Sequence, residues 1–526
     1  MPSPPRKPRR APDPRLYHAD LHSYGEVSRS RSEVYHPATV DELRGLLAEL
    51  SASGERRVTF RAGGCSLDGQ SLNDDVVIFL DRIDEIVIHD DPNEPTVTVG
   101  AGARWGDIAR ALEAVGLVPF VAVSTSRATA GGTASADCLS RFSSSIGKES
   151  RFIRKLRVLT LDGVLHEVSR DSTSADDRAL FHAVIGGFGY LGVIVRITYA
   201  VWRPPAPGFP RTPLRVSTLV KKCGDLRSFV GPLADHAPRP EPRPGGLGAN
   251  TTYALHDIAH GFFSRAAACA ADGSPADPTA FYGVVCPGGS PRGLVFESRY
   301  VRSDTLRPML QHVPAHPLRF LAEWTARGRF TGGLFWWFTY ELFDEAPYLD
   351  DLLGYTFFMD GNVRTRALER RLGFTTFTLQ QTYVVPFSPE ALREFLGDAL
   401  QRLDTRGLVP LLFDVLYIPA DDALLSASRD LDGFAVTIAF ETRSRAEVRP
   451  LEDALSELSD ACLARGGRVL LGKTVCATPD VLRAMYAGPV AELRALKDRY
   501  DPARVLGNRF LEERFPELLA PRVAPS

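Results

Sequence analysis

Two glycine-rich segments constrain the fold of this chain more than any other feature of its sequence. Residues 61–71 (Arg-Ala-Gly-Gly-Cys-Ser-Leu-Asp-Gly-Gln-Ser) follow directly on a predicted strand at 57–60. Consecutive glycines let successive backbone N–H groups point into one concavity, which forms a nest for phosphate oxygens. Residues 124–137 carry a small residue at nearly every position, so this segment can lie flat against a large planar ligand. Together the segments predict a long ligand with a diphosphate and a flat ring.

Side chains of the same segments can add hydrogen bonds to such a ligand, because hydroxyl and amide groups donate to phosphate oxygens. Asp137 is either polar support near the flat ring or a turn residue. The candidate ligand-binding residues are Arg61, Ala62, Gly63, Gly64, Cys65, Ser66, Gly69, Gln70, Ser71, Ser124, Thr125, Thr129, Gly131, Gly132, Ser135, Ala136 and Asp137.

Two other glycine motifs resemble nucleotide-binding fingerprints but fail on their context. The segment 187–192 satisfies G-x-G-x-x-G, yet a predicted helix precedes it and a strand follows it, which is the reverse of a dinucleotide fold. The Gly147-Lys148 pair lacks the glycine that a P-loop has five residues earlier, and Glu149 replaces the expected Ser or Thr. Neither a Rossmann fold nor a nucleotide triphosphatase is therefore expected.

Length, charge and cysteine usage exclude several classes of protein. The 526 residues exceed one ordinary hydrophobic core, so two or more domains are expected, and the net charge of −2 indicates no general attraction to nucleic acid. No apolar run reaches the roughly 18 residues of a membrane helix. The seven scattered cysteines lack a C-x-x-C pair, which indicates reduced thiols and no metal site. We expect a soluble cytoplasmic protein.

The hydrophobic pattern divides the chain into four parts. Residues 1–16 are rich in Pro and Arg and are expected to be disordered. Residues 17–203 alternate short strands with helices and end at a Pro-rich breaker. The pattern predicts a helix over 40–50 with Thr39 as its N-cap, a helix over 106–115, and strands at 57–60, 76–80, 96–100, 155–160, 166–168 and 193–199. Residues 204–466 contain two passages in which a strand is followed by a helix, which favours an antiparallel sheet covered by helices. Residues 467–526 form the last part, which contains a predicted helix. The predicted fold class is α+β.

The two glycine-rich segments, together with residues 180–194, resemble the PCMH-type FAD-binding domain of the vanillyl-alcohol oxidase superfamily. The resemblance covers about residues 33–200, and residues 500–506 are similar to the C-terminal return of that family to its flavin domain. It implies that residues 17–203 and 467–526 bind FAD while residues 204–466 form a substrate cap. It also implies that Val193 and Ile194 contact the cofactor.

Within this superfamily the chain is most similar to the decaprenylphosphoryl-ribose oxidases, with sterol Δ24-reductase-like enzymes as cousins. By that likeness Lys473 falls on the active-site lysine beside the flavin ring and the substrate hydroxyl, and Gln380 falls near a substrate-side glutamine. The chain departs from the family at Leu139, where the family has a histidine, and at Ala435 and Thr437, where it has an amide and a thiol. The ribose-lipid substrate is therefore not carried over.

Many relatives tether FAD through a histidine in the first glycine segment, at the position that Cys65 occupies here. Nothing near Cys65 in the sequence activates its thiol, so noncovalent FAD is expected. A thioether from Cys65 to the flavin is the alternative.

The resemblance implies oxidation of an alcohol on a sugar, polyol or lipid-linked group by hydride transfer to FAD, with a separate electron acceptor. Two alternatives stay open: an NADPH-dependent double-bond reductase of the sterol Δ24-reductase kind, and a non-redox transferase like alkylglycerone-phosphate synthase. The aromatic block around Trp336, Trp337 and Phe338 is more typical of a core, although strand-like alternation would direct two of its rings into the pocket. Tyr383 and Tyr417 are candidate pocket phenols.

Overall fold

The computed structural model describes residues 17–53, 56–206, 208–231, 279–287, 290–313, 329–344 and 346–520. The predicted disordered tail at 1–16 lies outside these residues. Helices and strands are both abundant, which confirms the α+β class. Among the described residues, no helix is both long and apolar enough to cross a membrane.

The first sheet has four strands in the order β1-β2-β4-β3, with a parallel β2-β4-β3 part and an antiparallel edge. It places β3 beside the buried strand β4, so that the first glycine segment leaves the sheet at the end of β3. Its strands are β1 (Tyr17–His22), β2 (Arg29–Tyr35), β3 (Val58–Arg61) and β4 (Val76–Phe79).

The second sheet is antiparallel, in the order β5-β6-β10-β8-β9, and the short strand β7 pairs with the end of β10. Its strands lie within a few residues of the segments that β-type patterning predicts. They are β5 (Ile86–His89), β6 (Thr96–Gly100), β7 (Val118–Pro119), β8 (Ile153–Leu159), β9 (Leu165–Val168) and β10 (Val193–Trp202).

The third sheet has eight antiparallel strands in the order β14-β11-β13-β12-β16-β17-β15-β18. The two strand–helix passages of the sequence lie in it as β15 and β17. Its strands are β11 (Leu214–Cys223), β12 (Thr279–Cys286), β13 (Arg292–Arg302), β14 (Tyr348–Asp351), β15 (Phe377–Pro386), β16 (Leu412–Ile418), β17 (Gly433–Thr442) and β18 (Arg468–Val469).

Helices pack on all three sheets. The helix predicted from residue 40 begins there, and the Thr39 hydroxyl accepts from the backbone N–H of Glu42 as its cap (3.1 Å). The helices are α1 (Val40–Ser53), α2 (Trp105–Glu113), α3 (Ala130–Ala134), α4 (Ser143–Ile146), α5 (Ala175–Val184), α6 (Leu226–Val230), α7 (Arg329–Leu342), α8 (Leu352–Thr356), α9 (Asp360–Arg371), α10 (Pro389–Thr405), α11 (Arg445–Leu463), α12 (Pro479–Tyr500) and α13 (Arg509–Arg514).

The aromatic block forms helix α7, so the strand-like alternation considered for it is wrong. Trp336 is buried, and its indole N–H donates to the carbonyl of Pro410 (2.7 Å). Trp337 and Phe338 are about half exposed. In a helix, Trp337 and Phe338 follow Trp336 around the helix axis and both lie away from its buried side. In a strand, Trp336 and Phe338 would share one face.

The C-terminal segment returns to the first sheet. The backbone N–H of Val58 in β3 donates to the carbonyl of Val505 (2.8 Å), and the N–H of Gly507 donates to the carbonyl of Val58 (3.1 Å). Lys497 holds this return from inside: its Nζ donates to the Asp501 carboxylate (2.7 Å) and to the carbonyl of Tyr190 (2.9 Å). The side chains of Lys497 and Asp501 are both fully buried.

We predict that Lys497→Met lowers the free energy of unfolding by about 3–5 kcal/mol, because it leaves the Asp501 charge buried without its partner. Chemical denaturation measures this loss. Lys155→Met is the matched control, since the Lys155–Glu167 pair is about half exposed and such pairs contribute about 0–1 kcal/mol. Equal losses in the two variants would contradict the assignment.

Candidate active site

The first glycine segment turns away from the sheet at the end of β3. Gly64 has a φ of +64°, a conformation that side chains other than glycine adopt rarely. Arg61 braces the turn, because its guanidinium donates to the Ser71 hydroxyl (2.9 Å) and to the carbonyl of His22 (2.9 Å). A Cβ added to Gly64 would lie 2.7 Å from that guanidinium. The turn is therefore closed around Arg61.

The second glycine segment contains helix α3, which packs closely on the second sheet. A Cβ added to Gly131 would lie 2.6 Å from the Cβ of Ala101, so the glycine is required for this packing. Gly132 differs, since it is exposed and its Cβ would meet only the Thr129 hydroxyl, at 3.1 Å. Gly132 thus leaves room on the open side of the segment.

The two glycine segments touch each other. A Cβ added to Gly63 would lie 2.7 Å from the carbonyl oxygen of Arg127 and 3.4 Å from the Thr129 methyl group. At the same junction the Thr129 hydroxyl is buried and has no hydrogen-bond partner among the described residues. A buried hydroxyl without a partner is costly, so a ligand that supplies one fits this junction. A phosphate oxygen of a dinucleotide has that chemistry.

Gly69, Gln70 and Ser71 are buried behind the turn, away from the junction. The Gln70 amide donates to the carbonyls of Leu471 (2.9 Å) and Lys473 (2.7 Å), and Gly69 packs on Arg509. Gln70 therefore holds the loop that carries Lys473.

The remaining predicted residues of the first segment and of β10 differ in exposure. Ala62, Cys65 and Ser66 keep partial exposure. Val193 and Ile194 are buried in the hydrophobic core at the start of β10.

The start of the second segment is tied to the third sheet's helices. The carboxylate of Asp360, at the start of α9, accepts from the Thr125 hydroxyl (2.8 Å) and from the backbone N–H of Ser126 (2.9 Å). The carbonyl of Ser124 accepts from the N–H of Met359 (2.9 Å). Ser124 and Thr125 consequently hold the two parts of the molecule together at this edge.

Asp137 and the P-loop-like Lys148 form a buried ionic cluster. The Nζ of Lys148 lies 2.5 Å from the Asp137 carboxylate and 2.8 Å from that of Asp421. Burial disfavours the charged lysine, but the two carboxylates outweigh it and raise the pKa of Lys148. The other oxygen of Asp137 accepts from the N–H of Ser150 (3.0 Å). Asp137 therefore positions the end of the second segment through its charge.

The G-x-G-x-x-G motif, together with Gly186 directly before it, hydrogen-bonds to the backbone of the second segment. The N–H of Gly186 donates to the carbonyl of Ala134 (2.9 Å), and the N–H of Phe188 donates to that of Ser135 (3.0 Å). The motif lies between α5 and β10 and binds backbone, in agreement with its rejection as a dinucleotide fingerprint.

Lys473 lies beside the end of the second segment. A Cβ added to Gly472 would lie 3.4 Å from the Cβ of Ala136, and the Lys473 charge acts on the Cys138 thiol. Burial raises the pKa of that thiol to about 12, and Lys473 opposes the shift. Lys473 and Gln380 are brought together through Thr474, whose N–H donates to the carbonyl of Gln380 (2.9 Å).

The face of the third sheet that carries Gln380 points toward the loop at 136–141; we call it the inner face. Register places Gln380, Thr382 and Val384 of β15 on it. On the same face Thr437 pairs with Thr382, and Asp414 pairs with Thr437. The hydroxyls of Thr382 and Thr437 hydrogen-bond at 2.8 Å. Leu139 of the loop packs in the cluster that contains Val384 and Ala435.

Tyr383 and Tyr417 lie on the opposite, helix-covered face, so their assignment as pocket phenols is wrong. The Tyr383 hydroxyl donates to the carbonyl of Leu455 in α11 (2.7 Å), and the amide of Gln381 donates to the same carbonyl (3.0 Å). Tyr417 packs against Phe434 and Phe387. Successive strand residues alternate between faces, which separates Gln381 and Tyr383 from Gln380.

A cationic group that the sequence patterns did not predict lies at the far end of the inner face. The guanidinium of Arg141 lies 3.8 Å from the ring centre of Phe358 and 4.5 Å from that of Tyr282. Its Nη1 lies 2.9 Å from the Nε2 of His312, whose Nδ1 is 2.9 Å from the carboxylate of Asp350. An arginine within an otherwise small, polar loop was the available sequence signal.

Asp414 was missed as well, although it is the one acid in the apolar strand 412–418. Burial raises the pKa of Asp414 to about 7, and the charge of Arg141 opposes this shift. Both side chains keep partial exposure.

Comparison with known proteins indicates the cofactor. Residues 32–169 match the family model of an FAD binding domain. The cofactor is FAD, and both the orphaned Thr129 hydroxyl and the open side of Gly132 fit it.

The chain is also similar to several oxidoreductases. It is 31% identical over 201 residues to an uncharacterised oxidoreductase of the fasciation locus of Rhodococcoides fascians, covering 38% of this chain and 44% of that protein. It is 27% identical over 188 residues to cytokinin dehydrogenase 2 of Arabidopsis thaliana, covering 35% of this chain and 36% of that protein. A D-2-hydroxyglutarate dehydrogenase of Haemophilus influenzae is 30% identical over 139 residues, or 26% of this chain and 14% of that protein.

These likenesses support an FAD-linked oxidoreductase. The chain spans less than half the length of each of these relatives.

We predict that Gly63→Ala weakens FAD binding by 10-fold or more, because its Cβ would force the two glycine segments apart at the Arg127 carbonyl. The ratio of flavin to protein absorbance after purification and a flavin titration measure the loss. Gly45→Ala on α1 is the control, since its Cβ meets nothing within 4 Å. Undiminished FAD affinity in Gly63→Ala would show that the junction does not hold the cofactor.

Proposed function

We propose that this chain is an FAD-dependent oxidoreductase that oxidises an alcohol group of a sugar, polyol or lipid-linked substrate by hydride transfer to the flavin. The observation that carries the proposal is the position of Lys473. It lies where the second glycine segment meets the inner face of the third sheet, with Gln380 on the adjoining strand. Residues 17–203 and 467–526 would hold the cofactor, and 204–466 would form the cap.

The cofactor would be held at the junction of the two glycine segments. Backbone N–H groups around Gly63 and Gly64, together with the Thr129 hydroxyl, would bind the diphosphate. Ser135 and Ala136 would lie along the flat ring system. Bound FAD supplies the hydride acceptor, while the protein supplies placement and the exclusion of water.

Lys473 would donate a hydrogen bond to the substrate oxygen as the carbon beneath it loses a hydride. Oxidation of an alcohol to a carbonyl would send a hydride from carbon to the flavin and the hydroxyl proton to solvent. When that proton leaves first, the oxygen carries negative charge as the hydride departs. A fixed donor at this point stabilises the charge more in the transition state than in the bound alcohol. Gln380 would hold a neighbouring substrate hydroxyl through its amide.

Anaerobic mixing with candidate alcohols tests the reaction class, because reduction bleaches the flavin absorbance near 450 nm (about the usual position for oxidised flavin). Bleaching by an alcohol supports the proposal. Bleaching by NADPH alone indicates a reductase instead, and turnover without lasting bleaching indicates a transferase.

We predict that Lys473→Ala retains bound FAD but is reduced by an alcohol substrate about 100-fold more slowly, the usual loss for a removed oxyanion donor. Stopped-flow absorbance measures the rate. Lys155→Ala, which removes an exposed lysine of β8, is the control and should match the parent protein. Unchanged reduction in Lys473→Ala would remove this residue from the mechanism.

We predict that acid precipitation releases the flavin and leaves a colourless pellet. Burial raises the pKa of the Cys65 thiol, which disfavours the thiolate that a covalent attachment requires. Absorbance of the supernatant measures the released FAD. A yellow pellet that becomes colourless in Cys65→Ser would instead establish a thioether.

A further inference from the structure

We propose that Arg141 and Asp414 form a subsite for an anionic group, a carboxylate or a phosphate, that the substrate carries at a distance from the oxidised alcohol. The inference rests on the proposed function for the position of the reacting alcohol beside Lys473. It adds the chemical class of the substrate and the distance between its acidic group and the oxidised carbon.

Arg141 is built as an anion anchor. Among the described residues, no carboxylate lies at ion-pair distance from its guanidinium, although the group lies deep in the protein. Buried charges are costly unless a counter-charge or a ligand meets them. The rings of Phe358 and Tyr282 contact the guanidinium. His312 and the Tyr355 hydroxyl accept hydrogen bonds from it, and its remaining N–H groups can donate to carboxylate or phosphate oxygens.

His312 fixes the orientation of Arg141 without cancelling its charge. Because the guanidinium only donates, the Nε2 of His312 accepts, and the imidazole proton then lies on Nδ1, toward Asp350. The Asp350 carboxylate also accepts from the N–H of Met309 (3.0 Å), which holds it in place. The negative charge of Asp350 is therefore kept one imidazole ring away from the guanidinium.

Asp414 supplies the second contact. Asp414 pairs with Val284 of β12, two residues beyond Tyr282. Asp414 therefore lies next to the strand whose Tyr282 ring contacts Arg141. The Asp414 carboxyl makes no hydrogen bond to a described residue. When protonated, it donates one hydrogen bond, and an oxyanion held by Arg141 is the acceptor that the surroundings lack.

The order of the strands sets the distance between this subsite and the reacting carbon. From β12, which carries Tyr282, to β15, which carries Gln380, the sheet crosses β16 and β17. Three spacings between strands amount to about 14 Å. Asp414, on β16, lies one strand nearer, at two spacings or about 10 Å from β15. A carboxylate that adjoins the oxidised carbon, as in a 2-hydroxy acid, would be too short to span this distance. The substrate is an extended alcohol with a remote acidic group.

Binding of simple probes to the holoenzyme tests the subsite without turnover. Hexanoate, hexyl phosphate and 1-hexanol share an apolar chain and differ only in their head group. Isothermal titration calorimetry should give at least 10-fold tighter binding for one or both anions than for 1-hexanol. The preferred anion then distinguishes a carboxylate from a phosphate. Equal affinity for all three probes, or binding of none, would overturn the proposal.

Variants locate the effect. Arg141→Gln should lose at least 10-fold in affinity for the anions and keep its affinity for 1-hexanol. Arg141→Lys should have an intermediate anion affinity, because it keeps the positive charge but not the bidentate geometry of the guanidinium. Arg154→Gln, an exposed arginine of β8, is the control. Retained flavin absorbance reports correct folding. Anion binding that survives in folded Arg141→Gln contradicts the assignment.

The pH dependence tests Asp414 separately. Anion affinity should fall as the pH rises through about 7, since the deprotonated carboxylate of Asp414 repels the anion. Arg141 is the charge that acts on it, while Asp350, Tyr282 and Tyr355 act on Arg141. Asp414→Asn should remove the fall. A pH profile that persists unchanged in Asp414→Asn excludes this residue.

The two proposals fail in different ways. Anion binding that fails while alcohols still bleach the flavin overturns only the subsite. Anion binding that succeeds while every alcohol with a remote acidic group leaves the flavin oxidised overturns the proposed oxidation instead.

Discussion

The contact between the two glycine segments is the constraint on which the rest of the site depends. Gly63 lies so close to the carbonyl of Arg127 that a single added carbon would collide with it. Main chain from two distant parts of the sequence thereby meets at one point, with the Thr129 hydroxyl unpaired between them. A dinucleotide needs this arrangement, because backbone N–H groups approach a diphosphate only where no side chain intervenes.

Buried charges connect the parts of the molecule around that junction. Lys148 joins Asp137, at the end of the second segment, to Asp421 in the loop after β16. Lys497 joins helix α12 to the turn that returns to β3. Such pairs fix geometry more than they add stability, since desolvation offsets much of their attraction.

The side chains along the inner face of the third sheet change from neutral polar groups on β15 and β17 to ionisable groups at β16. Gln380 and Thr382 lie on β15, Thr437 lies next to Thr382 on β17, and Asp414 lies next to Thr437 on β16, where the charge of Arg141 acts on it. Electrostatic interactions are stronger there than in water, because the surroundings are of low dielectric. A long substrate would meet neutral hydrogen-bonding groups near its reacting end and a cation at its far end.

Much of this architecture could be predicted from local pattern. The helix at residue 40 and most strands of the first 200 residues lie within a few residues of their predicted bounds, because their apolar periods agree with their burial. The alternation of side chains along one strand also predicts that Gln380 and Tyr383, three residues apart, lie on opposite faces of the sheet. Helix α7 was harder, since its paired glycines disfavour a helix and the packing of Trp336 on Pro410 overrides that propensity.

The sequence by itself determined the two glycine segments, their cofactor class and the residues that alternate along each strand. Only the tertiary structure decided that Arg141 faces Asp414, that Gln70 holds the Lys473 loop and that Tyr417 points away from the cleft. The physical reason is that these relations depend on strand order and register between segments hundreds of residues apart, for which local spacing carries no information.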